Sequence, residues 1–215
     1  MSVRLHTEPL PGTWLESLSS GADLRAAIRA GAVLLVVALT AAAAQVSVPL
    51  PFTPVPFTLQ PMIVLLGGAA LGSRLGMTAQ VLYLAAGLAG FPVFAASVLP
   101  QGPARLFGPT GGYLMAYPLA AFVSGYLAER GFDRRYLTSV LAMGAGLTIV
   151  FVAGVTWLAL FAQPVGAGFD AALRTGLYPF LAADLVKVCV AAALMPAVWT
   201  VTGRRSRGST ESSPE

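Results

Sequence analysis

Residues 177–194 read LYPFLAADLVKVCVAAAL, eighteen residues with only two charges, Asp184 and Lys187. A helix of that length extends about 27 Å at 1.5 Å per residue, close to the ~30 Å hydrocarbon core of a bilayer. Lys187 is the only lysine in the chain, and Asp184 is the only acid deep in an apolar run. Spaced i and i+3, they share one helix face. Each charge at mid-membrane costs roughly 2.5–3.5 kcal/mol on insertion scales, so the pair is a candidate functional site by default. Three roles stand open: a ligand-binding pair, an ion pair that fixes helix packing, and a proton relay. Cys189 lies in the same run; as the sole cysteine it can form neither an internal disulfide nor a metal cluster.

The rest of the chain has the same character. Of 215 residues, 56% are hydrophobic and 10% charged, with a mean hydropathy of +0.76. A soluble domain carries about 25% charged residues, so the solvent expected here is membrane lipid. Apolar runs predict an all-α integral membrane protein, a six-transmembrane-helix bundle with spans near 28–48, 57–73, 75–93, 109–128, 137–162 and 176–202. Residues 1–27 read as a cytoplasmic N-terminal segment, 28–202 as the membrane domain and 203–215 as a disordered cytoplasmic tail. With both termini cytoplasmic, ten arginines lie inside and only Arg105 and Arg174 outside, the asymmetry expected of a multi-pass membrane protein. The net charge of +4 comes from basic residues placed singly or in threes beside apolar runs, which suits the inner leaflet and no nucleic acid. Residues 31–45, behind Arg25 and Arg29, also resemble a signal peptide, but a leader of about 29 residues is long for one.

Two outer segments carry backbone signals. SVPLPFTPVPFTLQP, residues 47–61, holds five prolines. The first span therefore ends near Val48 and an extended, polyproline-like loop follows, with Thr58 expected to cap the second helix and Pro61 tolerated in its first turn. Phe52 and Phe57 make this loop apolar enough to pack as a lid. GPTGGYLMAYP, residues 108–118, combines glycines that allow close backbone approach with a proline suited to a helix start, whose N–H groups can receive a carbonyl or carboxylate. Tyr113 and Tyr117 share its face. Small residues at four-residue spacing, Gly68, Gly72 and Gly76, and Ala38 with Ala42, mark close helix packing or a docking stripe.

Enzyme signatures are missing. There is no P-loop lysine, and the sole histidine, His6, lies in the terminal segment, so neither a His-based triad nor a zinc site can be built in the membrane. No cofactor or metal is expected.

PLPFTPVPFTLQP, LGSRLG, GLAGFPVF, GPTGGYL and the Asp184/Lys187 helix, in that order over about residues 30–200, resemble the BioY family. These are the biotin-specific substrate-binding (S) components of energy-coupling-factor (ECF) vitamin transporters. The resemblance implies a six-helix bundle with the vitamin near the outer face under closing loops. It also implies a separate transmembrane coupling subunit and two ATPase subunits as partners. By D-x-x-K spacing, Asp184 and Lys187 map to the biotin-contacting pair; Gly111, Tyr113 and Phe94 complete the candidate substrate-binding set. Biotin offers two ureido N–H donors, a ureido carbonyl and a carboxylate, which a carboxylate and an ammonium can serve. Which of the two oxygen groups Lys187 meets stays open. After PVF, AASVLPQG stands where some relatives carry an asparagine that helps bind the ring, so Ala95, Ala96 or Ser97 occupies that region. In related S components a small-xxx-small stripe on the first helix docks on the coupling subunit, which maps to Ala38 and Ala42. Three functions follow: a biotin import subunit, a stand-alone ion-coupled vitamin carrier using Asp184 as ion or proton site, and a membrane-embedded enzyme, which lacks a nucleophile–base set.

Overall fold

The computed structural model describes residues 22–97, 99–161 and 168–208. They form eight helices: α1 Ala22–Gln45, α2 Gln60–Leu71, α3 Ser73–Leu88, α4 Pro103–Phe107, α5 Gly111–Glu129, α6 Tyr136–Leu160, α7 Phe169–Gly176 and α8 Tyr178–Gly208. Residues 1–21, with Trp14 and His6, and residues 209–215 of the expected tail lie outside the described residues. Helix α8 runs to Gly208, past the expected end of the last span at 202.

Among the described residues, three helical stretches are long and apolar enough to cross a bilayer: Leu24–Gln45, Tyr136–Leu160 and Tyr178–Pro196. The other expected spans differ from six equal crossings. Helix α2 has 12 residues and α3 has 16, lengths of about 18 and 24 Å at 1.5 Å per residue. The missing turns are replaced by non-helical backbone at 46–59, 89–97 and 99–102, where proline and glycine interrupt the helical pattern. The proline-rich loop is not simply extended: Ser47–Val48 and Phe57–Thr58 pair antiparallel, folding residues 49–56 back over the bundle. There Thr53 Oγ1 donates to the Thr175 carbonyl of α7 at 2.6 Å. Val55 is buried while Phe52 stays exposed, so only part of this loop covers the interior. Pro61 does lie in the first turn of α2, but the cap is Leu59, and Thr58 Oγ1 only accepts the Gln60 N–H at 3.4 Å.

Helix α5 is central, packed against α6, α2 and α3. Glycines set the distances. A Cβ on Gly68 would meet the Ala121 carbonyl oxygen at 2.4 Å, and one on Gly76 would meet Gly68 Cα at 2.7 Å. The α2–α3 reversal turns at Gly72, whose φ of 85° favours glycine. The Gly68, Gly72, Gly76 series is thus internal packing. Helix α1 is peripheral: Val33 and Val36 form a small separate cluster with Leu71 and Ala79, and Thr40 is buried with them. Ala38 and Ala42 lie on the exposed side of α1.

Candidate functional site

At one end of the bundle, residues of α2, α4, α5, α6 and α8 and of the segments before α2 and after α3 line a cavity. Its volume is about 60 Å³, narrow beside the ~300–1,000 Å³ of typical small-molecule sites. Most of its wall is apolar. The charged groups on it are Asp184, Lys187 and Arg105.

Asp184 and Lys187 are both buried. One turn of α8 brings Lys187 Nζ to 2.6 Å from Asp184 Oδ1. The same ammonium donates to the Thr58 carbonyl at 2.6 Å and sits 3.6 Å from the centroid of the Phe57 ring. The ion pair, the hydrogen bond and the aromatic face together offset desolvation of the cation. Asp184 engages only Oδ1 among the described residues, which leaves Oδ2 as an acceptor.

Arg105 comes from the short helix α4. It is 3% exposed, and its guanidinium donates through Nη2 to the Ala95 carbonyl. Its Nε is buried without an acceptor, and among the described residues no carboxylate pairs with it. Burial lowers the Arg105 pKa from the ordinary arginine value, partly offset by nearby Tyr83. An anion placed beside it would relieve that desolvation. In the sequence Arg105 stands out only as an outer-loop charge. A signal was present: it is one of just two basic residues on the side that the arginine asymmetry leaves depleted, in the apolar context PARLF.

The other expected site residues divide. Phe94 and Tyr113 line the cavity, as does Tyr117. The Tyr113 hydroxyl is committed, donating to the Gly176 carbonyl at 2.8 Å. Its ring fills the space beside Gly154, where a Cβ would lie 2.2 Å from it. Gly111 does not line the cavity; a Cβ there would meet the Leu106 carbonyl oxygen and approach Trp157 Nε1, so glycine lets α4 and α5 meet. Trp157 Nε1 in turn donates to the Gly108 carbonyl at 2.9 Å, which holds the turn that carries Thr110 into the wall. Of the three residues in the loop after PVF, Ala95 lines the cavity, whereas Ala96 and Ser97 are exposed. Gln60 also lines it, a position no sequence signal marks, since amides carry little pattern. No cluster of three or more His, Cys, Asp or Glu that could hold a metal occurs among the described residues.

Comparison with known proteins places this geometry in context. The family model described as "BioY family" matches residues 18–204. The probable biotin transporter BioY of Pyrococcus horikoshii is 42% identical over 159 residues, covering 74% of this chain and 88% of that protein. The biotin transporter BioY of Thermotoga maritima is 39% identical over 170 residues, covering 79% and 92%. A crystal structure of the S-component for biotin from an ECF-type ABC transporter superposes with a TM-score of 0.75 at 22% identity, covering 84% of this chain and 95% of that one. At that identity the superposition establishes likeness of fold.

Proposed function

We propose that this chain, which belongs to the BioY family, binds biotin for import as the substrate-specific subunit of an ECF-type transporter. Family and fold are those of a transporter's substrate-binding subunit and not of an enzyme. The observation that carries the reading is the charge balance of the cavity. Two cations face one anion there, leaving one net positive charge for a ligand with a single carboxylate.

Roles follow from which atoms are already engaged. Asp184 Oδ2 accepts a ureido N–H. Lys187, held by Asp184 and Thr58, presents its remaining N–H to the ureido oxygen. Arg105, lacking an acid partner, receives the tail carboxylate in a charge-assisted bond. Phe94, Tyr113 and Tyr117 give the bicyclic ring an apolar wall, and Gly111 serves the site indirectly by letting α4 approach α5.

For topology we assign six crossings of the bacterial cytoplasmic membrane, with α1, α2, α3, α5, α6 and α8 as spans and both termini inside. The arginine asymmetry supports this. The irregular segments around the cavity fit the rule that non-helical backbone at membrane depth lines a cavity or is buried in protein. A coupling transmembrane subunit and two ATPase subunits supply the energy, and the exposed small residues Ala38 and Ala42 on α1 are the docking stripe.

The test is a thermal-shift screen of the purified protein against a panel of vitamins. Biotin is expected to raise the melting temperature in proportion to the logarithm of its concentration, and thiamine and riboflavin to leave it unchanged. No shift with biotin would sink the assignment, and proton uptake accompanying biotin entry without the ATPases would favour the ion-coupled carrier.

A further inference from the structure

Three consecutive carbonyls after Pro92 are each held by a different side chain. Val93 accepts from the Tyr83 hydroxyl at 3.1 Å, Phe94 from Gln101 Nε2 at 3.3 Å, and Ala95 from Arg105. The Tyr83 hydroxyl itself accepts from Gln60 Nε2 at 2.6 Å. Gln60 Oε1 lies 3.4 Å from the Thr58 hydroxyl, and the Thr58 carbonyl receives Lys187. A line of hydrogen bonds thus runs around the wall from the ion pair on α8 to the segment that anchors Arg105, and Tyr83 is the link between its halves.

Tyr83 is fully buried but does not line the cavity. Its ring meets Phe94 edge-on, with centroids 5.5 Å apart. A phenylalanine would keep that apolar contact, so packing does not account for the hydroxyl. A buried hydroxyl carries a desolvation penalty unless it is bonded, and here it both accepts and donates, joining α2 to the loop after α3.

We infer that Tyr83 is a positioning residue that sets the separation between the Lys187 end and the Arg105 end of the cavity, and so tunes the site for a ligand whose carboxylate reaches Arg105. This rests on the assignment of the biotin carboxylate to Arg105. Tyr83 touches no ligand; it fixes the Val93–Ala95 backbone, whose last carbonyl orients the guanidinium.

The test compares binding of biotin and of biotin methyl ester, which lacks the negative tail, to wild type and to Tyr83→Phe by calorimetry. Wild type is expected to prefer biotin by at least about tenfold. Tyr83→Phe is expected to lower that preference by about threefold or more, with the loss confined to biotin. A general loosening of the fold would weaken both ligands alike, so a preference that moves by less than about threefold overturns the inference. If Tyr83→Phe is not recovered folded because the Gln60 amide is stranded, Gln60→Leu/Tyr83→Phe removes that donor too, and the same ratio decides. Loss of folding in both variants would make Tyr83 a stability residue and likewise overturn it. A wild type that fails to distinguish the ligands would instead refute the Arg105 assignment, a separate result.

Discussion

Asp184 and Lys187 were legible because rarity makes a charge conspicuous: a lone lysine and a lone deep acid, one helical turn apart in lipid-length sequence. The partners that complete their environment, the Thr58 carbonyl and the Phe57 ring, come from 126 or more residues earlier and have no local pattern. Arg105 was hidden for a related reason, since its burial depends on how α4 folds against the Ala95 loop. Asp184→Asn and Lys187→Ala are each expected to weaken biotin binding by at least tenfold, about 1.4 kcal/mol. Calorimetry on variants shown to be folded checks this, and an unchanged Kd would remove the pair from the site. Each single change leaves one buried charge uncompensated, whereas Asp184→Asn/Lys187→Ala removes both. The double variant is therefore expected to melt above the Lys187→Ala protein, which retains a lone buried carboxylate. Arg105→Gln keeps a donor for the Ala95 carbonyl but loses the cation. It is expected to weaken biotin about tenfold or more and to leave the methyl ester near its wild-type affinity; equal losses for both would point to a structural role only.

Helix packing is where composition reads well and length reads badly. Hydropathy located the apolar runs but gave α2 and α3 the lengths of full spans, because residues such as Phe57 and Val93 are as apolar in a loop as in a helix. Hydrogen-bonded exceptions decided the boundaries: the Ser47–Val48/Phe57–Thr58 pairing and the pinned carbonyls at 93–95. Glycine spacing read correctly as packing, and it gives a contrast that can be measured. Gly68 faces the backbone of Ala121, which cannot yield as a flexible side chain would, so Gly68→Ala is expected to destabilise by about 1–3 kcal/mol. Gly144 lies within α6 with nothing inside 4 Å of a Cβ. There Gly144→Ala should be neutral or stabilise by about 0.5–1 kcal/mol through helix propensity alone. Melting temperatures of the two proteins in the same detergent should move in opposite directions or differ clearly; similar values would mean that the α2–α5 contact is looser than its geometry indicates.

For the molecule as a whole, the membrane class was legible from the scarcity of charge, but composition cannot say which helix faces a partner. Placement of α1 narrows that question. Its inward face is committed: Val33, Val36 and Thr40 are buried with Leu71 and Ala79. Ala38 and Ala42 lie on the outward face beside Leu34, Leu35 and Leu39, all exposed. Had the alanines packed inside the bundle, bulky replacements would force the helices apart and lower the stability of the isolated protein. On an exposed face, tryptophan meets lipid and leaves the fold alone. Two helices in lipid gain little from the hydrophobic effect and rely on close backbone contact, which small side chains permit. Ala38→Trp/Ala42→Trp is therefore expected to keep the wild-type melting temperature and biotin affinity while abolishing co-purification with the coupling subunit. A lowered melting temperature together with weakened biotin binding would return the alanines to internal packing, and intact co-purification would remove α1 as the docking helix.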